Sequence, residues 1–463
     1  MRRLYSAADC LSCDRKSIEE YGIPSLSLME EAVCGALALI KEKLHQNSTI
    51  LFVAGCGNNG ADALALARLV HTHALARVLV LALPGRERQE RRIQRTACER
   101  TGISFVTELC ECDVLVDGLL GAGLRGEVDS TAASLIDAMN ALRCGFRVAL
   151  DVPSGLGDGT PLDHVFRSDL VITFGLDKRC LHSRRAHEHY SELAFVPLGY
   201  PQEAVEDSSI RLHELDEYRP LCLSASDYKV TRGRFAVIGG SPEYVGAVRL
   251  AARAAFSAGA GMLTVFTHPD LIRLVSLECG ASVMVRPYDD FPALADSFDA
   301  VLAGPGLGKE AERIVEMTVR SYRRGRLILD ADAIRVYRGG SRAGSLVLTP
   351  HVGEFSSLAG RSSFSSSDDF YSCLCATARK LDAVIVYKAE TVYIADGDEV
   401  DIVEGLNPSL GVAGSGDVLS GLMLAESDPL QAVLLHQRTG RALASRCGYY
   451  SADELASAVG VER

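Results

Sequence analysis

The stretch TILFVAGCGNNGADALALARL, residues 49–69, decides the fold that this chain is expected to adopt. Its first six residues form an apolar run typical of a buried β-strand, and the alanines and leucines after Asp62 predict a helix. Gly55, Gly57 and Gly60 lie between them, where glycine lets the backbone approach a ligand closely. A strand, a glycine-rich turn and a helix in this order predict the first βαβ unit of a parallel sheet.

The glycine spacing of this turn allows two interpretations. It fits a dinucleotide-binding turn, whose helix N-terminus faces a phosphate, and it equally fits an ordinary tight turn. An NAD-dependent oxidoreductase would carry a carboxylate about 20 residues on, but LVLALPG (79–85) has none, and the next acid is Glu87. A P-loop is excluded because no Gly-Lys-Ser/Thr follows. The turn therefore predicts contact with an anion but not a redox cofactor site.

The alternation of apolar runs and helical segments continues through the first 200 residues, as in a sheet built from βαβ units. Right-handed crossovers place the loops that follow the strands at one edge of such a sheet. Four of these loops carry unusual residues: GCGNNGAD (55–62), DGLLGAGLRGE (117–127), DVPSG (151–155) and TFGLDK (173–178). We therefore expect one site where these loops meet.

A second α/β series begins with RFAVIGGS at residue 234 and ends with GVAGSGDVLSGLMLA (411–425). Between the two series, residues 198–228 are acidic and turn-rich, which predicts a linker. The chain has 463 residues, too many for one ordinary core. The predicted fold class is α/β with two domains, an N-terminal Rossmann-like three-layer sandwich and a C-terminal α/β/α domain.

Charge and hydropathy exclude several classes of protein. The formal net charge of -12 argues against a nucleic-acid surface, which needs a concentrated basic patch. The one strongly basic stretch, GRERQERRIQR (85–95), also contains acids and predicts a solvated helix face with no partner. No apolar run approaches the roughly 20 residues that cross a bilayer, so no membrane contact is expected.

The 14 cysteines are scattered through apolar segments, and the N-terminal sequence MRRLYSAADC lacks the apolar core of a signal peptide. Three close pairs lack histidines at zinc-finger spacing, namely Cys10/Cys13, Cys110/Cys112 and Cys373/Cys375. Buried structural thiols are therefore favoured over zinc ligands. A cytoplasmic protein is expected.

Oxygen-bearing side chains are concentrated at the ends of the N-terminal strands. They are Asn58, Asn59, Asp62, Asp117, Asp151 and Ser154. Oxygen ligands that converge at one edge suit a hard cation or a sugar phosphate. These oxygen-bearing side chains near the glycine-rich turn favour a ligand site over an ordinary turn.

Five ordered motifs resemble the YjeF N-terminal domain family, the NAD(P)H-hydrate epimerases, over roughly residues 1–205. They are GIPSLSLMEEA (22–32), GCGNNGADALALARL (55–69), DGLLGAGLRGEV (117–128), DVPSG (151–155) and TFGLDK (173–178). The chain departs from the family at Ala61 and Ala63, where glycines are common, and at Glu31-Ala32-Val33, where Asn-Ala-Gly is usual.

The resemblance implies a ligand set for the hydrated nicotinamide dinucleotide. Substrate contacts would be Asn58, Asn59, Gly60, Ala61, Asp62, Gly121, Ala122, Gly123, Leu124, Arg125, Gly126, Glu127 and Asp151. A potassium ion would lie on Asn59, Asp117 and Ser154. Asp151 is the candidate proton-transfer group, since inversion at the hydrated carbon needs a positioned base or acid, and Lys178 would support charge there.

The segment GVAGSGDVLSG (411–421) predicts a helix whose first turn can hold an anion while Asp417 takes a proton from an attacking hydroxyl. A glycine-rich helix cap is the alternative interpretation. The segment resembles the anion hole and base of ribokinase-like folds. Further motifs, in order, resemble the ADP-dependent NAD(P)H-hydrate dehydratases over about residues 212–463: GGSPEYVGAVRLAARAAFSAGAG (239–261), GPGLG (304–308), LDADAIRV (329–336), TPHVGEF (349–355) and YKAETVYI (387–394).

This second resemblance implies that the hydrated cofactor contacts Ala247, Gly306, His351 and Asp417. The adenine nucleotide would contact Lys388, Ala389, Glu390, Thr391, Val392 and Gly416. Without the surrounding PHxGE sequence, His351 would be interpreted as a surface histidine at a strand end. The implied reaction transfers a phosphoryl group from ADP to the ring hydroxyl of the S hydrate, with Mg²⁺ as cofactor, and then eliminates phosphate to leave NAD(P)H and AMP.

Together the two halves resemble the fused bifunctional nicotinamide-nucleotide repair enzymes, with NADHX, NADPHX and ADP as small-molecule substrates. An alternative is a ribokinase-like kinase of a vitamin precursor that carries a non-catalytic N-terminal binding domain. Because fused enzymes with an Ala-rich surface often self-associate, a homo-oligomer is expected.

Overall fold

The computed structural model describes residues 1–183, 185–221 and 223–462. It divides the chain into two compact units. The N-terminal unit comprises Arg2–Ile210 together with Phe364–Phe370, and the C-terminal unit comprises Met1, Arg211–Ser363 and the chain from Tyr371 onward.

The N-terminal unit alternates strands and helices as the sequence predicts. Its strands are β1 (Arg2–Arg3), β2 (Thr49–Ala54), β3 (Arg77–Ala82), β4 (Ser104–Val106), β5 (Val114–Gly118), β6 (Phe146–Leu150), β7 (Ser168–Phe174) and β8 (Tyr190–Val196). Its helices are α1 (Ala7–Glu19), α2 (Ser25–Ile40), α3 (Asn58–Thr72), α4 (Gln89–Arg100) and α5 (Ser130–Ala141). Across the sheet the strand order is β4-β3-β2-β5-β6-β7-β8, and all neighbouring pairs are parallel.

Both faces of this sheet are covered, which explains why β2 is apolar throughout rather than alternating. Ile50 and Phe52 belong to one buried cluster that includes residues of α2 and α3. Leu51 and Val53 belong to a second cluster that includes residues of α5. Alternate residues of one strand thus fill two different layers of core, and the three-layer architecture predicted for this unit is confirmed.

The C-terminal unit is a second α/β assembly. Its strands are β9 (Ile210–His213), β10 (Arg234–Ile238), β11 (Met262–Thr267), β12 (Val283–Pro287), β13 (Ala300–Ala303), β14 (Arg326–Leu329), β15 (Ser345–Leu348), β16 (Val384–Tyr387), β17 (Thr391–Ala395) and β18 (Val400–Glu404). Its helices are α6 (Val245–Ser257), α7 (Ile272–Cys279), α8 (Phe291–Leu294), α9 (Ala311–Ser321), α10 (Asp332–Val336), α11 (Val352–Ala359), α12 (Ser367–Leu381), α13 (Ser415–Ala425), α14 (Pro429–Cys447) and α15 (Ala452–Glu462). The strand order is β9-β18-β17-β16-β15-β14-β13-β10-β11-β12.

Strands β10 to β16 pair in parallel, whereas β16, β17 and β18 form antiparallel pairs. Two buried clusters again lie on opposite faces, one containing Val237 and Leu302 and the other Ala236 and Val301. The α/β/α prediction for this unit is confirmed.

The predicted linker at 198–228 is not irregular throughout, because β9 forms within it and joins the sheet beside β18. Arg211 of β9 forms ion pairs with Asp401 at 2.6 Å and with Glu399 at 2.6 Å. This short strand is too polar to stand out as a buried run, and Cys222 of the same stretch lies outside the described residues. In the described part of the chain, no helix combines the length and the hydropathy that a bilayer crossing requires.

Candidate functional site

A cavity of about 750 Å³ opens at the carboxyl ends of the N-terminal strands. The structure brings most of the predicted substrate residues to its wall, namely Asn58, Asn59, Asp62, Gly121, Ala122, Gly123, Leu124, Arg125 and Asp151. Gly60, Ala61, Gly126 and Glu127 are not part of the wall. Ligands of open parallel sheets bind at this edge because the loops after the strands converge there.

Gly60 and Ala61 fail to reach the cavity because they pack against the sheet. A Cβ on Gly60 would lie 2.0 Å from the carbonyl oxygen of Gly55, so the turn closes only without one. Ala61 and Ala63 are fully buried in the helix-to-sheet core. The two alanines that stand where the family has glycines therefore lie in the core and not on the cavity wall.

Asp151 and Lys178 form the charged centre of the cavity. The Lys178 ammonium lies 2.8 Å from Asp151 Oδ1 and donates to the carbonyl oxygen of Phe174 at 2.7 Å. The backbone N–H of Ala122 donates to Asp151 Oδ2 at 3.2 Å, so both carboxylate oxygens have a donor. Burial of Lys178 opposes its charge, but the Asp151 carboxylate outweighs that penalty and raises the pKa of Lys178. The Asp151 side chain is thus held in one orientation by Lys178 and Ala122.

Asp151 also has a left-handed backbone, with φ of 66°. Such a conformation is strained for a residue with a Cβ and is held only where the surroundings fix it. Here it aims the carboxylate into the cavity directly after β6 ends.

Asp62 lines the same cavity, but the surroundings of its carboxyl group differ from those of Asp151. In the described part of the chain, no hydrogen bond or ion pair reaches its carboxyl group. Burial, together with the negative charges of Asp151 and Asp14, raises the pKa of Asp62 well above its ordinary value. The cavity therefore presents one carboxyl group held by donors, that of Asp151, and one whose pKa is raised, that of Asp62.

The three predicted cation ligands meet beneath the cavity. Asp117 is fully buried and accepts from the Ser154 hydroxyl at 2.6 Å and from the Ser154 backbone N–H at 2.8 Å. Asn59 donates through Nδ2 to the carbonyl oxygens of Leu120 and Leu150, and its buried Oδ1 has no partner in the described structure. Desolvation raises the pKa of Asp117 to about 6. The unpartnered, buried carbonyl oxygen of Asn59 and the buried Asp117 carboxylate are oxygen donors of the kind that fit a monovalent cation.

The structure corrects the prediction that the basic stretch at 85–95 is a solvated helix face. Arg91 of α4 is fully buried rather than solvated, and Glu87 neutralises it. Its guanidinium donates to the carbonyl oxygen of Gly55 at 2.6 Å and to that of Leu83 at 2.8 Å. A buried guanidinium paired with an acid can brace backbone carbonyls, and here it supports the glycine-rich turn from behind.

Sequence reasoning missed the contribution of the N-terminal helix. Cys10 and Asp14 of α1 line the cavity, and Asp14 accepts a hydrogen bond from the hydroxyl of Tyr200. Burial raises the pKa of Asp14 and raises that of Cys10 to about 12. These residues precede or follow the glycine-rich loops by long stretches of chain, so no spacing signal connects them with the site.

In the C-terminal unit, Asp417 lies in the first turn of α13, as the sequence predicts. Gly414 precedes this helix with φ of 94°, a left-handed conformation that admits glycine readily. No hydrogen bond or ion pair from the described residues reaches the Asp417 carboxyl. Desolvation and the charge of Asp330 raise the pKa of Asp417 to about 7, with Lys388 opposing the shift. A carboxylate with this pKa suits a general base at neutral pH.

The Lys388 ammonium lies close to the start of α13 and contacts a second carboxylate, that of Asp330. This ammonium donates to buried Asp330 at 2.6 Å, and a Cβ on Gly416 would lie 3.4 Å from the same nitrogen. Thr349 donates to the same Asp330 oxygen at 2.7 Å. The LDADAIRV motif (329–336) contains Asp330, but the motif alone predicts no role for this residue. Its position directly after β14 is the signal that could have found it.

The remaining predicted residues of this unit are dispersed around the helix start. Gly306 has φ of 63° and lies beside Ala247. His351 is exposed and caps α11, with Nδ1 accepting from the N–H of Gly353 at 3.0 Å. The side chain of Val392 is in the core.

Between Lys388 and Val392, Ala389 is half-buried, Glu390 is exposed and Thr391 is buried. The buried side chains of β17 leave the turn at 388–390 as the part of this segment that can reach a ligand.

The model of the family described as YjeF-related protein N-terminus matches residues 25–180, and the model described as NAD(P)H-hydrate dehydratase matches residues 235–459. A bifunctional NAD(P)H-hydrate repair enzyme of Pyrobaculum aerophilum is 33% identical over 90% of this chain and 88% of that protein. One of Coxiella burnetii is 31% identical over 97% and 93%. A ribokinase-like superfamily protein of Enterococcus faecalis, of solved structure, covers 55% of this chain and 96% of its own at 24% identity and a TM-score of 0.50, and it supports the fold only.

Proposed function

The chain belongs to the bifunctional NAD(P)H-hydrate repair enzymes, and from this premise we propose which of its residues carry each reaction. Such an enzyme interconverts the R and S hydrates of NADH and NADPH, and it dehydrates the S hydrate with ADP to give NAD(P)H, AMP and phosphate. We assign the epimerase to residues 1–205 and the dehydratase to residues 212–463. The two matched segments fall within these bounds.

In the epimerase, inversion requires the hydroxyl to leave the hydrated ring carbon and water to return from the other face. The ring nitrogen next to that carbon supplies the electron pair that expels the hydroxyl. Asp151, which Lys178 and Ala122 hold in place, is the group that transfers the proton in this exchange of hydroxyl and water. Asp62, whose pKa is raised by burial, would donate a hydrogen bond to the bound substrate when its carboxyl group is protonated. The glycine-rich loop at 121–125 lies against the dinucleotide.

Asn59, Asp117 and Ser154 would hold K⁺ below this centre. The unpartnered Oδ1 of Asn59 supports the assignment, since a buried carbonyl oxygen without a donor carries a free-energy cost that a cation removes. When bound, the ion supplies a fixed positive charge near the phosphate-bearing ligand. The residues themselves fix the loops, because Ser154 ties Asp117 to the N–H of Leu120.

In the dehydratase, Asp417 deprotonates the ring hydroxyl of the S hydrate, which attacks the terminal phosphorus of ADP. The bond from that phosphorus to the bridging oxygen breaks, and AMP leaves. The N–H groups at the start of α13 and the Lys388 ammonium stabilise the developing charge. The ring nitrogen then expels phosphate, and a ring proton is lost to give the dihydronicotinamide.

Mg²⁺ would reach this site with the nucleotide. Within the described residues no cluster of three histidine, cysteine or acidic side chains could hold a metal ion. Mg²⁺ is commonly bound through substrate phosphates with only one or two carboxylates, so the residues present fit an ion of that kind. His351, Ala247 and Gly306 would then contact the hydrated cofactor.

The observation that carries the proposal is the presence of two distinct acid-base centres, Asp151 paired with Lys178 directly after β6 and Asp417 in the first turn of α13, near Asp330 and Lys388. The test incubates the full chain with hydrated NADH and ADP and follows absorbance near 340 nm and AMP. Return of absorbance with AMP supports repair. A stable phosphorylated product without recovery would instead favour the kinase alternative.

We also propose a cytoplasmic location, supported by the free thiol state of the cysteines in the described part of the chain. Self-association into a homo-oligomer stays a prediction.

A further inference from the structure

The end of β3 is the place where a dinucleotide-binding sheet distinguishes the two nicotinamide dinucleotides. A carboxylate there binds the ribose 2′-hydroxyl of NAD, whereas an arginine nearby accommodates the 2′-phosphate of NADP. In this chain β3 ends at Ala82, and the loop that follows carries Arg86, Glu87 and Arg88. Glu87 is the single acid of this loop. Whether its carboxylate is free to bind a ribose 2′-hydroxyl therefore decides which of the two dinucleotides the loop can recognise.

Glu87 is already engaged and cannot serve as the ribose acid. One of its oxygens pairs with Arg91 and lies 3.0 Å from Arg95, both on the following helix. The carboxylate is therefore bound to α4, and no other acid stands between β3 and that helix.

Arg88, in contrast, lines the cavity and is exposed to it. Its guanidinium donates a hydrogen bond of 3.4 Å to Asn58 Oδ1, on the glycine-rich turn. Within the described residues, no carboxylate oxygen lies within 4.0 Å of its guanidinium. Glu90 also lines the cavity, but it accepts a hydrogen bond from the Ser25 hydroxyl. Arg88 is thus a cation on the cavity wall that no described carboxylate contacts, although its charge helps to lower the pKa of nearby Glu90.

The spacing of the strands fits this role. The order β3-β2-β5-β6 places Arg88 three strand positions from Asp151, about 14 Å at the usual spacing of adjacent strands. With the hydrated ring at Asp151, the pyrophosphate would cross the loops after β2 and β5, and the adenosine would reach the end of β3. Arg125 lies on the loop in between and is placed to face the pyrophosphate.

We propose that Arg88 binds the 2′-phosphate of hydrated NADPH, so that the epimerase site selects the NADPH hydrate over the NADH hydrate. This inference rests on the proposed epimerase function of the cavity. Arginine suits the role because its planar guanidinium forms paired hydrogen bonds with phosphate oxygens.

The test compares epimerisation of the R hydrates of NADPH and NADH by the full chain and by Arg88→Gln. We expect the wild type to favour the NADPH hydrate in kcat/KM, and Arg88→Gln to lower the ratio of the two kcat/KM values by about 10- to 100-fold, the worth of a charge-assisted hydrogen bond. Arg92→Gln is the matched control, since Arg92 is exposed in the first turn of α4, the helix that begins directly after Arg88, and lies outside the cavity wall. It should leave the ratio unchanged.

Inhibition gives a second readout that does not depend on turnover of the two hydrates. NADP⁺ should inhibit epimerisation at a lower concentration than NAD⁺, and Arg88→Gln should remove most of that difference. An unchanged ratio, or an equal loss on both hydrates, would overturn the assignment of the 2′-phosphate to Arg88. Absence of epimerisation of either hydrate by the wild type would instead refute the proposed function of the cavity.

Discussion

At the scale of single residues, the two sites use carboxylates whose surroundings differ sharply. Asp151 has a donor on each oxygen, whereas Asp62 and Asp417 have none among the described residues. A carboxylate with donors is stabilised as an anion, and one without them is destabilised by burial. The chain thus holds one carboxylate oriented by donors and two carboxyl groups whose pKa is raised by burial.

Substitution of Asp151 tests the epimerase assignment. Asp151→Asn keeps the shape of the side chain but removes the base, so epimerisation should slow by about 10²- to 10⁴-fold. The rate is measured by the interconversion of separated R and S hydrates. Asp163→Asn, an exposed residue outside the cavity wall, is the matched control. A normal rate in Asp151→Asn would remove the proposed role.

The pKa of Asp417 predicts the pH dependence of the dehydratase. Burial raises this pKa to about 7, and the base acts only when deprotonated. Dehydration should therefore be full above about pH 8 and fall roughly tenfold per pH unit below the pKa. The measurement is kcat/KM for the S hydrate between pH 5.5 and 8.5. A profile that stays flat through pH 7 would contradict Asp417 as the base.

At the scale of elements, the glycine-rich turn is set by steric contact between β2 and α3. A Cβ on Gly60 would lie 2.0 Å from the backbone oxygen of Gly55, whereas a Cβ on Gly57 would meet no atom within 4 Å. Buried Arg91 holds the same Gly55 oxygen from the other side. The turn therefore has no room for a side chain at Gly60 but has room for one at Gly57.

Two alanine substitutions in this turn should differ in their effect. Gly60→Ala should lower the free energy of unfolding by about 1–3 kcal/mol or more, because the backbone must move to admit the methyl group. Gly57→Ala has a compatible backbone, with φ of -89°, and should change it by less than about 0.5 kcal/mol. Urea unfolding of both variants measures the difference, and equal stability would show that the turn relaxes freely.

The helix that carries Asp417 is fixed at its other end by Arg326. This guanidinium donates to the carbonyl oxygens of Met423, Leu424 and Glu426 at 2.6 to 3.2 Å. Such contacts satisfy the carbonyl groups that a helix C-terminus leaves free, and the positive charge suits that end of the helix.

Replacing Arg326 should therefore destabilise the C-terminal unit. Arg326→Met leaves several carbonyls without a donor and should cost about 2–4 kcal/mol. Arg342→Met is the control, since Arg342 is exposed and no hydrogen bond or ion pair from the described residues reaches its side chain. Thermal unfolding of the full chain compares them, and an Arg326→Met variant as stable as the control would contradict the capping role.

At the scale of the whole molecule, the two activities act in sequence on one pool of damaged cofactor. The dehydratase uses the S hydrate alone, so the R hydrate must first be epimerised. Each proposed base lies in its own unit, Asp151 in the N-terminal one and Asp417 in the C-terminal one.

Variants of the two bases should therefore complement each other. Asp151→Asn alone should recover the S fraction quickly and the R fraction only at the spontaneous rate, and Asp417→Asn should recover almost none. An equal mixture should restore recovery of the whole pool, because the substrate diffuses from one chain to the other. Absorbance near 340 nm reports the progress curve. A mixture no better than Asp151→Asn would mean that the bases do not divide the reactions as proposed.

The sequence by itself determined the layers and the order of the elements. Apolar runs such as residues 49–54 can be buried only in a sheet covered on both faces, and the glycines after them permit only a tight turn into a helix. The same local rules placed Asn59, Asp117 and Asp417 at strand ends and at a helix start. For these features, each residue's neighbours in the chain supply the physical cause.

Only the tertiary structure decided which distant groups meet. The ion pair of Asp151 with Lys178, the burial of Arg91 behind the turn and the contact of Lys388 with Asp330 join residues from different strands and loops. The charge and burial of a side chain depend on all the elements packed around it, and local spacing carries no record of them. For this reason the sequence of residues 85–95 predicts a solvated helix face, whereas in the folded chain Arg91 is buried and Arg88 lies on the cavity wall.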